Sequence, residues 1–289
     1  EKRSSATPFT KKYRLKWQST RNLANRSQYG SYHKAGYGDY PTINTSDHNG
    51  LVLSSADASN GNFTSLTKPE IVTSGLLIHL DAGDGNSYPG TGTTWTDLAR
   101  GNDGTLQNSP TFDSDGFFTF NGSNQYMTTN LTLDENSDYT FSWWVKSSTT
   151  TENRGLMSMG SGASVGGFHF NYSSSNPLWY LAGSNYRYWV NPSAQDDGEW
   201  HYWVLRHKGT AGTGDEALES TLYIDNVLIS ATSTSHVSTI SSWGSLVLGR
   251  DTAPNYWVGS IATFTVHTGN ISLAESTQNF NATKGRFGQ

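Results

Sequence analysis

From Leu76 onward the hydrophobic residues come in short runs, each cut off by Gly, Asn, Asp or Ser, and the clearest runs alternate. A period of two marks a half-buried strand, because successive strand side chains point to opposite faces. Tyr139–Lys146 is the plainest case: Phe141, Trp143 and Val145 fall on one face, Ser142, Trp144 and Lys146 on the other. The same reading predicts strands over residues 76–80, 117–120, 168–172, 178–181, 186–190, 200–207, 221–229, 245–248 and 260–267. About ten short strands with turn punctuation predict an all-β antiparallel sandwich, or jelly roll. One short C-terminal helix is expected. Ser272-Leu273-Ala274-Glu275 reads as a capping box, and Gly285 can close the last turn.

Composition agrees with this picture. Hydrophobic residues are only 34%, but ten Trp, 15 Tyr and 12 Phe can fill a core, since each buries more area than an aliphatic. No apolar run approaches the roughly 20 residues of a membrane span. There is no cysteine, which excludes disulfides, thiolate metal sites and cysteine nucleophiles. No internal repeat is present, and the chain begins at Glu1 rather than Met, which leaves N-terminal processing open.

Charge divides the chain. Residues 1–40 carry nine Lys/Arg against Glu1 and Asp39, or +7; subtracting from the totals of 19 and 24 leaves ten basic and 22 acidic residues elsewhere, or −12. A basic segment on an acidic body is suited to lie on something negative. Residues 1–74 have too few aliphatics for a core of their own and read as an extended basic and polar arm, with the sandwich over 75–289. Within the arm, Lys11, Lys12, Tyr13, Arg14, Leu15, Lys16 and Trp17 form a candidate partner-binding strand. From Lys12 on, its basic and apolar residues alternate. The aromatics suit anchoring on a protein surface; nucleic acid is the rival partner, ranked lower.

Several segments, in order, resemble the laminin-G-like members of the concanavalin A-like lectin/glucanase superfamily. They include Gly75-Leu76-Leu77-Ile78-His79-Leu80-Asp81-Ala82-Gly83, Thr94-Trp95-Thr96-Asp97-Leu98, Phe120-Asn121-Gly122, Asp197-Gly198-Glu199-Trp200-His201, Leu222-Tyr223-Ile224-Asp225-Asn226, which resembles a hairpin of the family, and Leu246-Val247-Leu248-Gly249. The opening segment and the ending from Gln278 to Gly288 are similar to laminin-G-like structural proteins of tailed bacteriophages. The resemblance implies a virion component on the outer surface of the head, as a capsid decoration protein, or alternatively on the tail. Its partners would be the major capsid protein or other virion proteins, with homo-oligomerisation expected and host surface glycans as a further ligand class.

Glucanases of that superfamily carry spaced carboxylates on one strand face to flank a glycosidic bond. This chain has only the adjacent pairs Asp134-Glu135, Asp196-Asp197 and Asp215-Glu216, in turn contexts, so no catalytic residue and no enzymatic activity are expected. Laminin-G-like domains often bind calcium, but three positions where the family has Asp hold Asn121, Gln125 and Ala262-Thr263 instead. No cofactor is expected; Asp81 and Asp84 are the residues left to hold calcium, with turn capping their more ordinary role. Trp179, Tyr180, Tyr186, Tyr188, Trp189, Tyr256 and Trp257 are candidates for glycan or subunit contact, with sandwich core as the alternative for some. His201 and His207 read as framework residues.

Overall fold

The structure is a computed structural model. It describes residues 70–289 apart from 135, 149–153, 160–166, 171–176, 183–184, 191–196, 210–219, 231–232, 236–242 and 252–254, together with the pairs 52–53 and 66–67. Two compact units are distinguished: Glu1–Pro69 with Ala282–Phe287 and Gln289, and Glu70–Asn281 with Gly288. In the first, β1 (Val52–Leu53) pairs antiparallel with β2 (Leu66–Thr67). The arm residues Lys11 to Trp17 lie outside the described residues.

The second unit is the sandwich. Its strands are β3 (Leu76–Asp81), β4 (Thr94–Trp95), β5 (Gly104–Gln107), β6 (Thr111–Asp113), β7 (Phe117–Asn121), β8 (Tyr126–Thr132), β9 (Tyr139–Lys146) and β10 (Arg154–Met159). They continue as β11 (Gly167–Phe170), β12 (Pro177–Ala182), β13 (Asn185–Val190), β14 (Trp200–His207), β15 (Thr221–Ile224) and β16 (Val227–Ile229). The last are β17 (Ser233–Ser235), β18 (Ser245–Leu248) and β19 (Val258–Thr268), followed by helix α1 (Leu273–Thr283). One sheet runs β17-β13-β12-β11-β10-β18-β8-β5-β4. The other runs β16-β15-β14-β9-β19-β7-β6, with β3 also paired to β19. Among the described residues every pairing is antiparallel.

One core lies between the sheets. Phe141, Trp143, Trp203, Leu205, Phe264 and Val266 project from one, Met127, Met157, Trp189 and Leu248 from the other, and all are essentially inaccessible. The alternation in β9 is confirmed in register, yet only Lys146 of its eight residues is not buried. The reason is α1. Phe280 stacks on Trp144 (centroids 5.5 Å apart) and meets Tyr202 (5.7 Å), so the helix covers the second face of β9 and β14. Burial there pushes the Tyr202 phenol up to about 12. The capping box forms as read: the Glu275 N–H donates to Ser272 Oγ (3.2 Å), and the Ser272 N–H donates to Glu275 Oε2 (2.7 Å).

Three expectations need adjustment. Residues 221–229 are not the single strand that the apolar pattern predicts but the hairpin β15–β16 that the resemblance of residues 222–226 implies. Asp225 (φ 50°) and Asn226 (φ 65°) turn it, as a two-residue loop with left-handed positions requires. Several strands went unpredicted, among them β8 and β10, whose Thr, Asn, Ser and Gly positions weaken the apolar signal. Residues 70–74 also belong to the sandwich unit. Buried Val72 donates its N–H to Asn279 Oδ1 (2.7 Å) and accepts from His267 Nε2–H (2.9 Å).

Candidate ligand site at the sandwich rim

Antiparallel pairing sets the end of one strand beside the start of its neighbour. At one end of the sandwich it gathers the β7–β8 turn, the start of β10 and the connection from β18 to β19. β18 gives way to Gly249, whose φ of 83° lies in the left-handed region; a Cβ there would also sit 3.0 Å from the Phe120 ring. Only glycine meets both demands. The Gly249 N–H donates to the Leu156 carbonyl (2.8 Å), and the Gly249 carbonyl accepts from the Trp257 N–H (2.9 Å). The chain therefore doubles back, closed by an Arg250–Tyr256 bridge. Within this loop the buried carboxylate of Asp251 accepts from the Asn255 side-chain amide at 2.8 Å. Gly155 allows β10 to lie flush against it, since a Cβ would collide with the Asp251 backbone.

Two arginines and two tyrosines meet on this rim. Arg154 Nη1 donates to the carbonyls of Gly122 (3.1 Å) and Tyr256 (3.4 Å). The Arg250 guanidinium lies 4.0 Å from the Tyr126 ring centroid, and the Tyr126 and Tyr256 rings are 6.2 Å apart. All four side chains are half-buried. Among the described residues neither arginine has a carboxylate partner, and the Nε of each is buried with no hydrogen-bond acceptor. Of these residues only Tyr256 was singled out in the sequence. The arginines sit at or just past strand ends, and only the pairing of β10 with β18 brings them together.

The other aromatic candidates scatter. Trp189 and Trp257 are fully buried in the core, which removes both rings from contact with a glycan or a subunit. Trp179 pairs with Tyr188, Tyr180 with Arg187, and Tyr186 with Leu181, all on β12 and β13. Two strands, β11 and β10, separate these from β18, so the sheet order does not bring them to Tyr256.

The acidic candidates organise turns. Asp81 Oδ1 accepts from the Gly83 N–H (2.8 Å) and Asp84 Oδ1 from the Asn86 N–H (2.8 Å). Among the described residues no three His, Asp or Glu side chains gather as metal ligands. Asp97, whose side chain the sequence alone leaves unexplained, is the hub of the neighbouring loop. Its Oδ1 accepts from the N–H of His79 (2.7 Å) and Ala99 (2.9 Å), its Oδ2 from those of Arg100 and Asn102 (both 2.9 Å). Asp134 accepts from the Tyr139 hydroxyl (2.8 Å); Glu135, Asp196, Asp215 and Glu216 lie outside the described residues.

The histidines divide. His207 is buried, 4.6 Å from the Trp243 ring, as a framework residue. His201 bridges Asp225 (2.7 Å) and Asp197 (3.3 Å). Burial alone would lower its pKa, but the hydrogen bond and charge of Asp225, then Asp197, raise it above the ordinary value.

With this geometry established, the sequence can be set against known proteins. Residues 121–275 match the family described as the concanavalin A-like lectin/glucanases superfamily. Comparison with curated proteins returned no match. Among solved structures, the fold is similar to Trypanosoma rangeli sialidase in complex with 2,3-difluorosialic acid (TM-score 0.54, 14% identity, 83% of this chain and 37% of that one). It is also similar to the receptor binding domain of botulinum neurotoxin D (TM-score 0.51, 12% identity, 73% of this chain and 52% of that one). The chain thus spans between about a third and about a half of these proteins' lengths, and at such identities the likeness concerns the fold alone.

Proposed function

We propose that this chain, which belongs to the concanavalin A-like lectin/glucanase superfamily, is a non-enzymatic structural protein of a bacteriophage virion. In this reading it is a capsid decoration protein: the sandwich is displayed outward and the N-terminal segment ties it to the major capsid protein or another virion protein. The observation that carries the reading is the charge division, +7 in residues 1–40 against −12 in the rest. Such a division combines long-range attraction with the aromatic anchors interleaved among the basic residues. The use of acidic groups in the sandwich supports it. Asp97 holds four backbone amides, Asp134 holds Tyr139, and Asp138 pairs with Lys208 (3.0 Å). Each of these carboxylates has a structural task. Deleting residues 1–40 should leave a folded, soluble sandwich that no longer joins the particle. Incorporation of the truncated protein at the normal level would defeat the proposal.

A second reading is favoured by the rim. The half-exposed rings of Tyr126 and Tyr256 are surfaces on which a sugar ring can stack, beside arginines able to bond its polar groups. That reading is an adhesin recognising host surface glycans, on the head or on a tail appendage. A glycan array probed with the full chain tests it, and no binding to any glycan would remove it.

A further inference from the structure

We infer that the rim between the β7–β8 turn and the β18–β19 loop is a binding site for an acidic sugar, whose carboxylate is held by Arg154 and Arg250 and whose ring rests on Tyr126 and Tyr256. The inference rests on the second, glycan-binding reading and names its ligand class.

The argument begins with compensation of charge. A guanidinium in a protein stays protonated, and a half-buried one is ordinarily paired with a carboxylate, because desolvation without compensation is costly. Here two guanidinium groups stand on one rim with, among the described residues, no carboxylate bound to either. Their Nε atoms are sealed off without an acceptor, and the partners of the rest are two neutral carbonyls and one ring. The one acid built into this loop, Asp251, is buried and engaged with Asn255. Among the described residues no carboxylate pairs with either arginine, and an anion from outside the chain can fill that role.

The second step is geometry. Arg154 is fixed by carbonyls from two different loops, both on Nη1, which leaves its Nη2 without a protein partner. Arg250 is laid against Tyr126, a contact that orients its plane and leaves its terminal nitrogens without a protein acceptor. Guanidinium forks held in place in this way match the planar geometry of a carboxylate. The adjacent tyrosine rings, 6.2 Å apart and tilted at 45°, supply apolar faces within reach of the same place. A ligand carrying both a carboxylate and a ring with an apolar face fits both elements. That description fits uronic and sialic acids, and it excludes neutral hexoses and free small anions as the best occupants.

The test uses the full chain and a panel of oligosaccharides ending in galacturonate, glucuronate or sialate. Each is paired with its methyl ester, beside neutral and sulfated glycans, and binding is followed by titration calorimetry. At least one acid should bind in a saturable, salt-weakened manner, and its ester should bind at least about tenfold more weakly. Arg250→Gln, which breaks no backbone hydrogen bond, should weaken acid binding about tenfold or more with an unchanged melting temperature. Arg250→Lys keeps the charge but loses the planar fork and should lose nearly as much. Equal binding of acid and ester, or an acid affinity indifferent to Arg250→Gln, overturns the proposal. Binding of neutral glycans alone overturns it while leaving the glycan reading intact, and preference for sulfate esters overturns the carboxylate assignment. No binding to any glycan removes both.

Discussion

Replacing Asp97 by Asn changes one atom, yet it should be among the most damaging substitutions in the sandwich. The Asp97 side chain is buried, and each of its oxygens accepts two backbone N–H groups at 2.7–2.9 Å. An asparagine can keep only one oxygen. Its amide would face either Arg100 and Asn102 or His79 and Ala99, donor against donor, and flipping the amide only exchanges which pair is lost. Hydrogen bonds to a charged group contribute about 1.5–3 kcal/mol each, so losing two costs about 3–6 kcal/mol. For a unit of this size that corresponds to a fall in melting temperature of roughly 6 °C or more. Thermal denaturation followed by circular dichroism measures the fall. Hydrogen exchange should localise the damage to the amides of residues 99, 100 and 102. A melting temperature within about 2 °C of the parent would show that the four contacts contribute little, and would refute the reasoning.

Three further outcomes are expected. His201, with its pKa raised by Asp225 and Asp197, contributes stability that is full below its unfolded pKa near 6.5 and is lost as pH rises through the higher folded value. The melting temperatures of His201→Asn and the parent should therefore differ at about pH 5 and converge above about pH 8, and parallel curves would count against the bridge. Adding EDTA should leave the melting temperature unchanged, because Asp81 and Asp84 already cap turns; a large loss restored by calcium would reverse that assignment. In particle incorporation across a salt series, Trp17→Ala should cost more than Lys16→Ala, since a buried aromatic anchor is worth about 2 kcal/mol and one rim charge less than about 1. Equal losses with steep salt dependence would favour nucleic acid over a docked strand.

The fold was legible where the hydrophobic pattern has one cause. β9, β14 and β18 were predicted to the residue, because each alternates or runs apolar without a turn signal inside it. The pattern failed where a strand draws its place from the sheet rather than from its own side chains. β10 reads Arg-Gly-Leu-Met-Ser-Met, and its Gly155 looks like a turn signal; it is glycine because the Asp251 backbone passes too close for a Cβ. The hairpin at Asp225-Asn226 was legible from the family resemblance of residues 222–226 but not from the hydrophobic pattern. Its flanks are apolar enough to read as one continuous strand, and the turn rests on two residues that tolerate positive φ.

The candidate site was less legible, because its residues are defined by what they lack. Aromatic density pointed to Trp189 and Trp257, but a large apolar ring in a sandwich is first of all core, and both are enclosed. Density therefore cannot distinguish a stacking surface from packing; only exposure can, and of the rings offered by the 256–257 pair it selects Tyr256. The arginines carry no local motif. Each would pass in the sequence for a solvated charge at the end of a strand, and the pairing of β10 with β18 shows otherwise: one is clamped by two loops, the other is stacked on a ring, and among the described residues no acid pairs with either. The informative feature is the unmatched charge, and it exists only after the chain has folded.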